Sequence, residues 1–169
     1  ESCSQLSGAT FDILRRQARL QRAASEGAPP PWELRPAVAD EPRRGFALLP
    51  PPSPEDVFFD LEGFPFAPEG LEYLWGATVR GAAGTEFHDW WARDSLQERR
   101  AFEQFIDWAY ARWRRDRSMH IYHYAAYENS AIKRLAGRYG TREFQVDEFL
   151  RNDVLVDLYT VVRQGLIVG

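Results

Sequence analysis

The chain has 169 residues, of which 44% are hydrophobic and 14% aromatic, and its formal net charge is −4. This length and composition predict one folded domain with an appendage and exclude a disordered chain. The sequence holds no apolar run of membrane-spanning length and no basic-then-apolar secretory signal. Its single cysteine, Cys3, excludes an internal disulfide and a cysteine-based zinc site, so we expect a cytoplasmic protein.

The first third of the chain predicts a helix followed by a linker. Residues 8–24 carry apolar side chains at roughly helical spacing, and residues 25–54 hold nine of the eleven prolines. The proline-rich stretch is therefore expected to be extended and poorly packed. Because the chain begins at Glu1 and ends directly after the apolar residues 166–168, we interpret it as a piece of a longer protein. Residues 1–24 would then close a preceding domain.

From Glu55 onward the pattern is that of an α/β domain with a mixed sheet. Three strands with short glycine or proline connections predict an antiparallel meander, and the later alternation of strands with helices predicts parallel pairing. The predicted elements are strands at 57–63, 70–80 and 85–91, a helix from Ser95, a strand at 119–124, helices at 126–139 and 142–151, a strand at 154–157 and a helix at 158–164.

The helix from Ser95 carries two further predictions. Ser95 and Glu98 have the spacing of a capping box, in which each side chain satisfies a backbone amide of the first turn. The helix ends in the arginine-rich residues 112–117, which either follow a nucleic acid strand by charge or form a solvated end favoured by the helix dipole. Residues 55–169 carry 14 basic and 19 acidic residues. Any nucleic acid binding must therefore be local or assisted by a metal ion.

Asp60 and Glu62 interrupt an otherwise apolar strand. Because side chains two apart point the same way, both carboxylates lie on one face, opposite Val57, Phe59 and Leu61. Two adjacent carboxylates repel each other and resist desolvation, and a divalent cation removes both penalties. Mg²⁺ and Mn²⁺ prefer such oxygen ligands. The alternative is an edge strand with two solvated acids.

Two more acids stand at strand-to-helix junctions. Glu128 falls in the first turn of a helix, on the same face as the apolar residues that must contact the sheet. Ligands of open α/β sheets bind near such strand ends, although a negative charge there also simply favours the helix dipole. Asp157 closes an apolar strand and is either a site residue or a helix N-cap. His123 and His88 are candidate metal ligands or bases, with a hydrogen-bonded sheet histidine as the alternative for His123.

These segments resemble a known family. Residues 57–63 resemble the first motif of the DnaQ-like, DEDD-type 3′-5′ exonucleases of the ribonuclease H superfamily, an apolar strand with Asp-x-Glu. Tyr127 and Glu128 stand where the second motif has Phe-Asp, and residues 157–163 resemble the segment that follows in many members. Most of 8–169 is similar, more narrowly, to the ribonuclease H-like domain of large bacterial RecB-family nucleases, which carry a RecB-like nuclease region before it and often a helicase region after it.

The resemblance implies a ribonuclease H-like mixed sheet with flanking helices over residues 55–169, truncated at its C-terminus. It implies a 3′-5′ exonuclease with two Mg²⁺ or Mn²⁺ ions, acting on single-stranded DNA or RNA beside the nuclease and helicase domains of the parent chain and away from membranes. Asp60 would bridge both ions, Glu62 would help place the ion that activates water, and Glu128 would hold the other, with Asp157 and His123 in support.

The sequence departs from that family in two ways. The second-motif acid is Glu128 rather than aspartate, and the family's fourth acid lies farther downstream than Gly169. We therefore expect weak or no activity from this chain alone. The alternative function is a nuclease-derived module that positions nucleic acid or partner domains without cleaving. A structural domain with incidental acids is a third interpretation.

Overall fold

The computed structural model describes residues 6–35 and 43–169, so the linker predicted at 25–54 lies partly outside the described residues. The chain divides into two compact units. One unit comprises residues 1–49 and 160–169, and the other comprises Pro50–Tyr159. The boundary at residue 50 falls within the predicted proline-rich linker.

The unit formed by the two chain ends holds α1 (Gly8–Ala23), as the sequence predicts. Its β1 (Trp32–Leu34) pairs antiparallel with β7 (Leu166–Val168). A 3₁₀ helix follows at Gly45–Leu48. Parts of the predicted extended linker therefore have regular structure, because β1 finds its hydrogen-bond partner more than 130 residues away in the sequence.

The central unit is built on a five-stranded mixed sheet, which confirms the predicted fold class. Its strands are β2 (Val57–Phe64), β3 (Leu71–Gly81), β4 (Gly84–Trp91), β5 (Ile121–His123) and β6 (Leu155–Asp157). They lie in the order β4-β3-β2-β5-β6. The pairs β2–β3 and β3–β4 are antiparallel, and β2–β5 and β5–β6 are parallel. The strand with Asp60 and Glu62 is therefore central, not an edge strand.

The helices follow the predicted positions within a residue or two. They are α2 (Ser95–Arg115), α3 (Tyr127–Tyr139), α4 (Glu143–Arg151) and α5 (Leu158–Gly165), the last crossing the boundary between the two units. The predicted capping box is wrong, because Asp94 is the N-cap of α2 and accepts a hydrogen bond from the backbone N–H of Gln97. In the described part of the chain, no helix is both long and apolar enough to cross a membrane.

One face of the sheet carries the core. Along β2 burial alternates, so that Val57, Phe59 and Leu61 are buried and the residues between them are exposed. The ring of Phe59 stacks on that of Phe105 from α2 with centroids 4.2 Å apart. Buried residues of α3, among them Ile132, belong to the same apolar cluster. Helices α2 and α3 therefore pack on the face of β2 opposite Asp60 and Glu62.

Replacing Phe105 tests this core. Its ring is fully buried and also contacts the rings of Trp75 and Trp90. We expect Phe105→Ala to lower the free energy of unfolding by about 3–5 kcal/mol, measured by urea denaturation, because transfer and cavity costs add. Phe144→Ala is the matched control, because Phe144 is 66% exposed. Equal losses in the two variants would contradict the packing described.

Candidate active site

The carboxyl end of β2 presents two carboxylates on the face of the sheet opposite α2 and α3. Asp60 and Glu62 are both exposed, as the alternation along the strand predicts. In the register with β3, Asp60 lies opposite Gly76, and a register shift follows between Glu62 and Gly63. A bulge of this kind bends a strand and re-aims its side chains. The two acids therefore stand just before a bend at the end of a central strand.

The start of α3 lies directly against this strand end. A Cβ built on Gly63 would lie 2.1 Å from the hydroxyl of Tyr127 and 2.5 Å from a carboxylate oxygen of Glu72. The Tyr127 hydroxyl donates a 2.8 Å hydrogen bond to that same Glu72 carboxylate. Glycine at 63 thus lets β2 and the first residue of α3 approach closely. This contact brings the end of β2 against Tyr127, the residue that precedes Glu128.

Glu128 is buried at that junction, which confirms its predicted position on the inward face of α3. It is 4% exposed, and its Oε2 atom lies 3.5 Å from Nδ1 of His123, itself 3% exposed. His123 Nδ1 donates to the carbonyl oxygen of Ala125 at 2.8 Å, so that nitrogen carries a proton. Oε2 of Glu128 has no hydrogen-bond partner among the described residues.

Asp157 connects the end of β6 to the loop that precedes α3. Its Oδ1 accepts hydrogen bonds from the backbone N–H of Ala125 and of Tyr159, each at 2.9 Å. The bond to Tyr159 is the predicted capping of α5, and the bond to Ala125 fixes the loop before Glu128. Ala125 is left-handed with φ of 69°, a conformation that costs free energy in a non-glycine residue and is held here by its neighbours.

The candidate acids offer oxygen ligands for a metal ion, but their side chains do not form one cluster. Within residues 6–35 and 43–169, no group of three or more His, Cys, Asp and Glu side chains is placed to hold a metal ion. The chemistry of the donors nevertheless fits a hard divalent cation, since Asp60 and Glu62 are exposed carboxylates on one face. The buried Oε2 of Glu128 also fits, because it has no hydrogen-bond partner among the described residues and burying such an oxygen is costly.

Two buried acids hold the contact between β2 and α3 together: Glu72, which our sequence interpretation missed, and Glu98, which it assigned to a capping box. Glu72 is 3% exposed and accepts from Tyr127 and from the guanidinium of Arg134. Glu98 is fully buried and accepts from the backbone N–H of Glu72 and from Arg138. Glu98 also accepts a hydrogen bond from the hydroxyl of Tyr139. A sequence signal for Glu98 existed, because it continues the inward-facing helical spacing of the apolar residues of α2.

The remaining candidates, His88 and the arginine-rich residues 112–117, lie away from these acids and make structural contacts. His88, on β4, lies beside the rings of Trp90 on the same strand and Trp108 on α2. In the arginine-rich end of α2, Arg112 and Arg115 both pair with Glu55. Arg117 lies over the ring of Trp113 at 3.7 Å. These contacts favour the structural interpretation of that segment over a path for nucleic acid.

The fold, with its central Asp-x-Glu strand and the acid-bearing helix starts beside it, is that of a ribonuclease H-like α/β domain. A family model described as RNase_H superfamily, RNase_H_2, matches residues 57–168. The chain therefore belongs to this family, whose membership indicates a nuclease-like activity. Neither a search of curated proteins nor a search of solved structures found a match to the chain.

Enlarging Gly63 tests the contact between β2 and α3. We expect Gly63→Ala to lower the free energy of unfolding by about 1–3 kcal/mol, because the new methyl group meets the Tyr127 hydroxyl and the Glu72 carboxylate. In a Tyr127→Phe background the loss should shrink, since one of the two clashing atoms is gone. Chemical denaturation of the four variants of this cycle measures the coupling. Additive losses would mean that Gly63 and Tyr127 do not meet.

Two tyrosines of α3, Tyr127 and Tyr139, make the free energy of unfolding sensitive to high pH. Burial first, and then the hydrogen bond to Glu72, raise the pKa of Tyr127 from its ordinary value near 10 to about 12. Burial and Glu98 likewise raise the pKa of Tyr139 to about 12. A raised folded-state pKa adds stability that is complete below the unfolded-state pKa and is lost as the pH rises through the folded-state value.

We therefore expect the free energy of unfolding to fall between about pH 10 and pH 12, measured by denaturation at a series of pH values. The fall should be smaller in the Tyr127→Phe/Tyr139→Phe variant. Tyr124→Phe, in which an exposed ring is changed, should retain the full fall. The same fall in all three proteins would contradict this assignment.

Proposed function

We propose that this domain is a metal-dependent nuclease that hydrolyses phosphodiester bonds of single-stranded nucleic acid from the 3′ end. The observation that carries the proposal is the meeting of three acid-bearing segments at one edge of the sheet. Gly63 contacts Tyr127, and Asp157 binds the backbone of Ala125. Substrate binding at the carboxyl edge of the strands is the general rule for open α/β sheets.

Asp60, Glu62 and Glu128 would hold the divalent cations, Mg²⁺ or Mn²⁺. When bound, such ions polarise a phosphoryl oxygen and lower the pKa of a bound water. His123 and Asp157 act as positioning residues, because both fix Ala125 in the loop that leads to Glu128. His123 additionally places its Nδ1 3.5 Å from Oε2 of the Glu128 carboxylate.

The charge of the domain supports dependence on a cation. Residues 55–169 have more acids than bases, and the two exposed carboxylates of β2 would repel a phosphate. A divalent ion reverses that local charge. The 3′ polarity, the single-stranded substrate and a role beside nuclease and helicase domains rest on the resemblance to DnaQ-like and RecB-family proteins.

A second candidate function is a module that positions nucleic acid without cleaving it. One observation favours it, namely that three metal-holding side chains are not grouped within the described residues. The glutamate at position 128 is longer than the aspartate of the resembled motif, and its carboxylate lies beside His123. Both candidates predict binding of single strands, and only the first predicts cleavage.

A nuclease assay separates the two candidates. We expect the chain, at high concentration and with Mn²⁺, to shorten a 5′-end-labelled single-stranded oligonucleotide stepwise from its 3′ end. Cleavage should be slow, because the sequence carries three of the four acids of the resembled family. Asp60→Asn should reduce the rate about 100-fold or more, because it removes the charge of a metal ligand and keeps its size. Asp147→Asn is the control, since Asp147 is an exposed acid of α4 that pairs with Arg151.

Cleavage that survives Asp60→Asn would contradict the assigned site. If the chain and its variants bind the oligonucleotide equally and none cleaves it, the positioning module replaces the nuclease as the function. Binding is measured by fluorescence anisotropy of the same labelled strand, so that loss of cleavage is not confused with loss of binding.

A further inference from the structure

Strand β4 forms an edge of the five-stranded sheet, and its outer side has no partner strand among the described residues. It is eight residues long, and its ladder with β3 runs without a register shift from Leu74–Trp91 to Gly81–Gly84. The strand contains neither proline nor lysine. Exposed edges in proteins are usually blocked by such residues, by bulges or by short length, because an open edge pairs with another strand.

The outward-facing backbone groups of β4 can be identified. Gly81 and Gly84 close a two-residue turn, and the N–H of Ala92 donates to the carbonyl of Tyr73 at 2.9 Å. In an antiparallel ladder, hydrogen-bonded and non-hydrogen-bonded pairs alternate. Because Gly84 and Ala92 both belong to hydrogen-bonded pairs, the even-numbered residues of β4 direct their backbone N–H and C=O groups toward β3. The odd-numbered residues therefore direct their N–H and C=O groups outward, and these are Thr85, Phe87, Asp89 and Trp91.

The side chains of these residues form an exposed apolar and polar row. Phe87 is 65% exposed and Trp91 is 60% exposed. The Phe87 ring lies over Gly76 of β3, where a Cβ would be only 3.3 Å from it. Large rings left in water on an open strand edge favour association.

We propose that two copies of this chain pair through β4 in antiparallel fashion, about a twofold axis at Phe87, to form one continuous ten-stranded sheet. In that register the two Phe87 residues form the central hydrogen-bonded pair. Thr85 lies opposite Asp89 of the second copy, and Glu86 lies opposite His88, each pair occurring twice. Aromatic pairs, hydrogen bonds from a threonine hydroxyl and opposite charges stabilise neighbouring strands.

Charge disfavours two alternative registers. A twofold axis at Glu86 would place two glutamates directly opposite each other, and an axis at Asp89 would do the same with two aspartates. Like charges in directly opposed positions destabilise a strand pair. A shift by a single residue would pair outward-facing with inward-facing backbone groups and is excluded. The axis at Phe87 avoids both penalties.

Sedimentation equilibrium of the whole chain across the micromolar range tests the proposal. We expect the mass to rise with concentration from 19.5 kDa to twice that value. Phe87→Lys should abolish the rise, because two ammonium groups meet at the axis. Phe144→Lys, the same change at an equally exposed ring of α4, should leave it intact. Far-ultraviolet circular dichroism checks that each variant is folded.

Changes at Thr85 give a second test that works in both directions. Thr85→Asp places two carboxylates opposite each other, and Thr85→Lys places an ammonium group opposite Asp89. We expect the dimer dissociation constant to rise in the first and fall in the second, each by about 2- to 30-fold for two pairs. A chain that stays monomeric, a dimer indifferent to Phe87→Lys, or shifts of the same sign at Thr85 would overturn the proposal.

Discussion

The close approach of β2 to the first residue of α3 is the constraint on which the candidate site depends. Only a residue without a Cβ lets the strand pass within contact of the Tyr127 hydroxyl. The strand carries Asp60 and Glu62 just before this point, and the helix carries Glu128 just after it. A single glycine therefore lets two segments that lie more than 60 residues apart in the sequence, each carrying a candidate acid, come into contact.

The contact is held by a buried polar network. Glu72 and Glu98 are both removed from water, and burial of a carboxylate is costly unless charge and hydrogen bonds compensate it. Arg134 and Arg138 supply the charge, and tyrosine hydroxyls and a backbone N–H supply the hydrogen bonds. Loss of one partner would leave an unpaired charge in the interior. The network thus links β3, α2 and α3 in one arrangement, on which the position of Glu128 depends.

Local patterns predicted most of the fold and the candidate acids. Alternation along β2 predicted that Asp60 and Glu62 share an exposed face, and helical spacing predicted that Glu128 points inward. Glu98 was misassigned to capping, because the capping pattern is local, whereas its partners Glu72 and Arg138 lie on other elements. The pairing of β1 with β7 was missed for the same reason. Partners that only the tertiary fold supplies are not readable from local spacing.

A crystal structure grown with Mn²⁺, in which anomalous scattering locates the ion, tests the candidate site directly. We predict a manganese ion bound by the carboxylates of Asp60 and Glu62, at the end of β2 that faces the start of α3. We also predict a Glu128 carboxylate coordinated to manganese. Manganese absent from these carboxylates at millimolar concentration, or bound only at other residues, would contradict the assignment of the site.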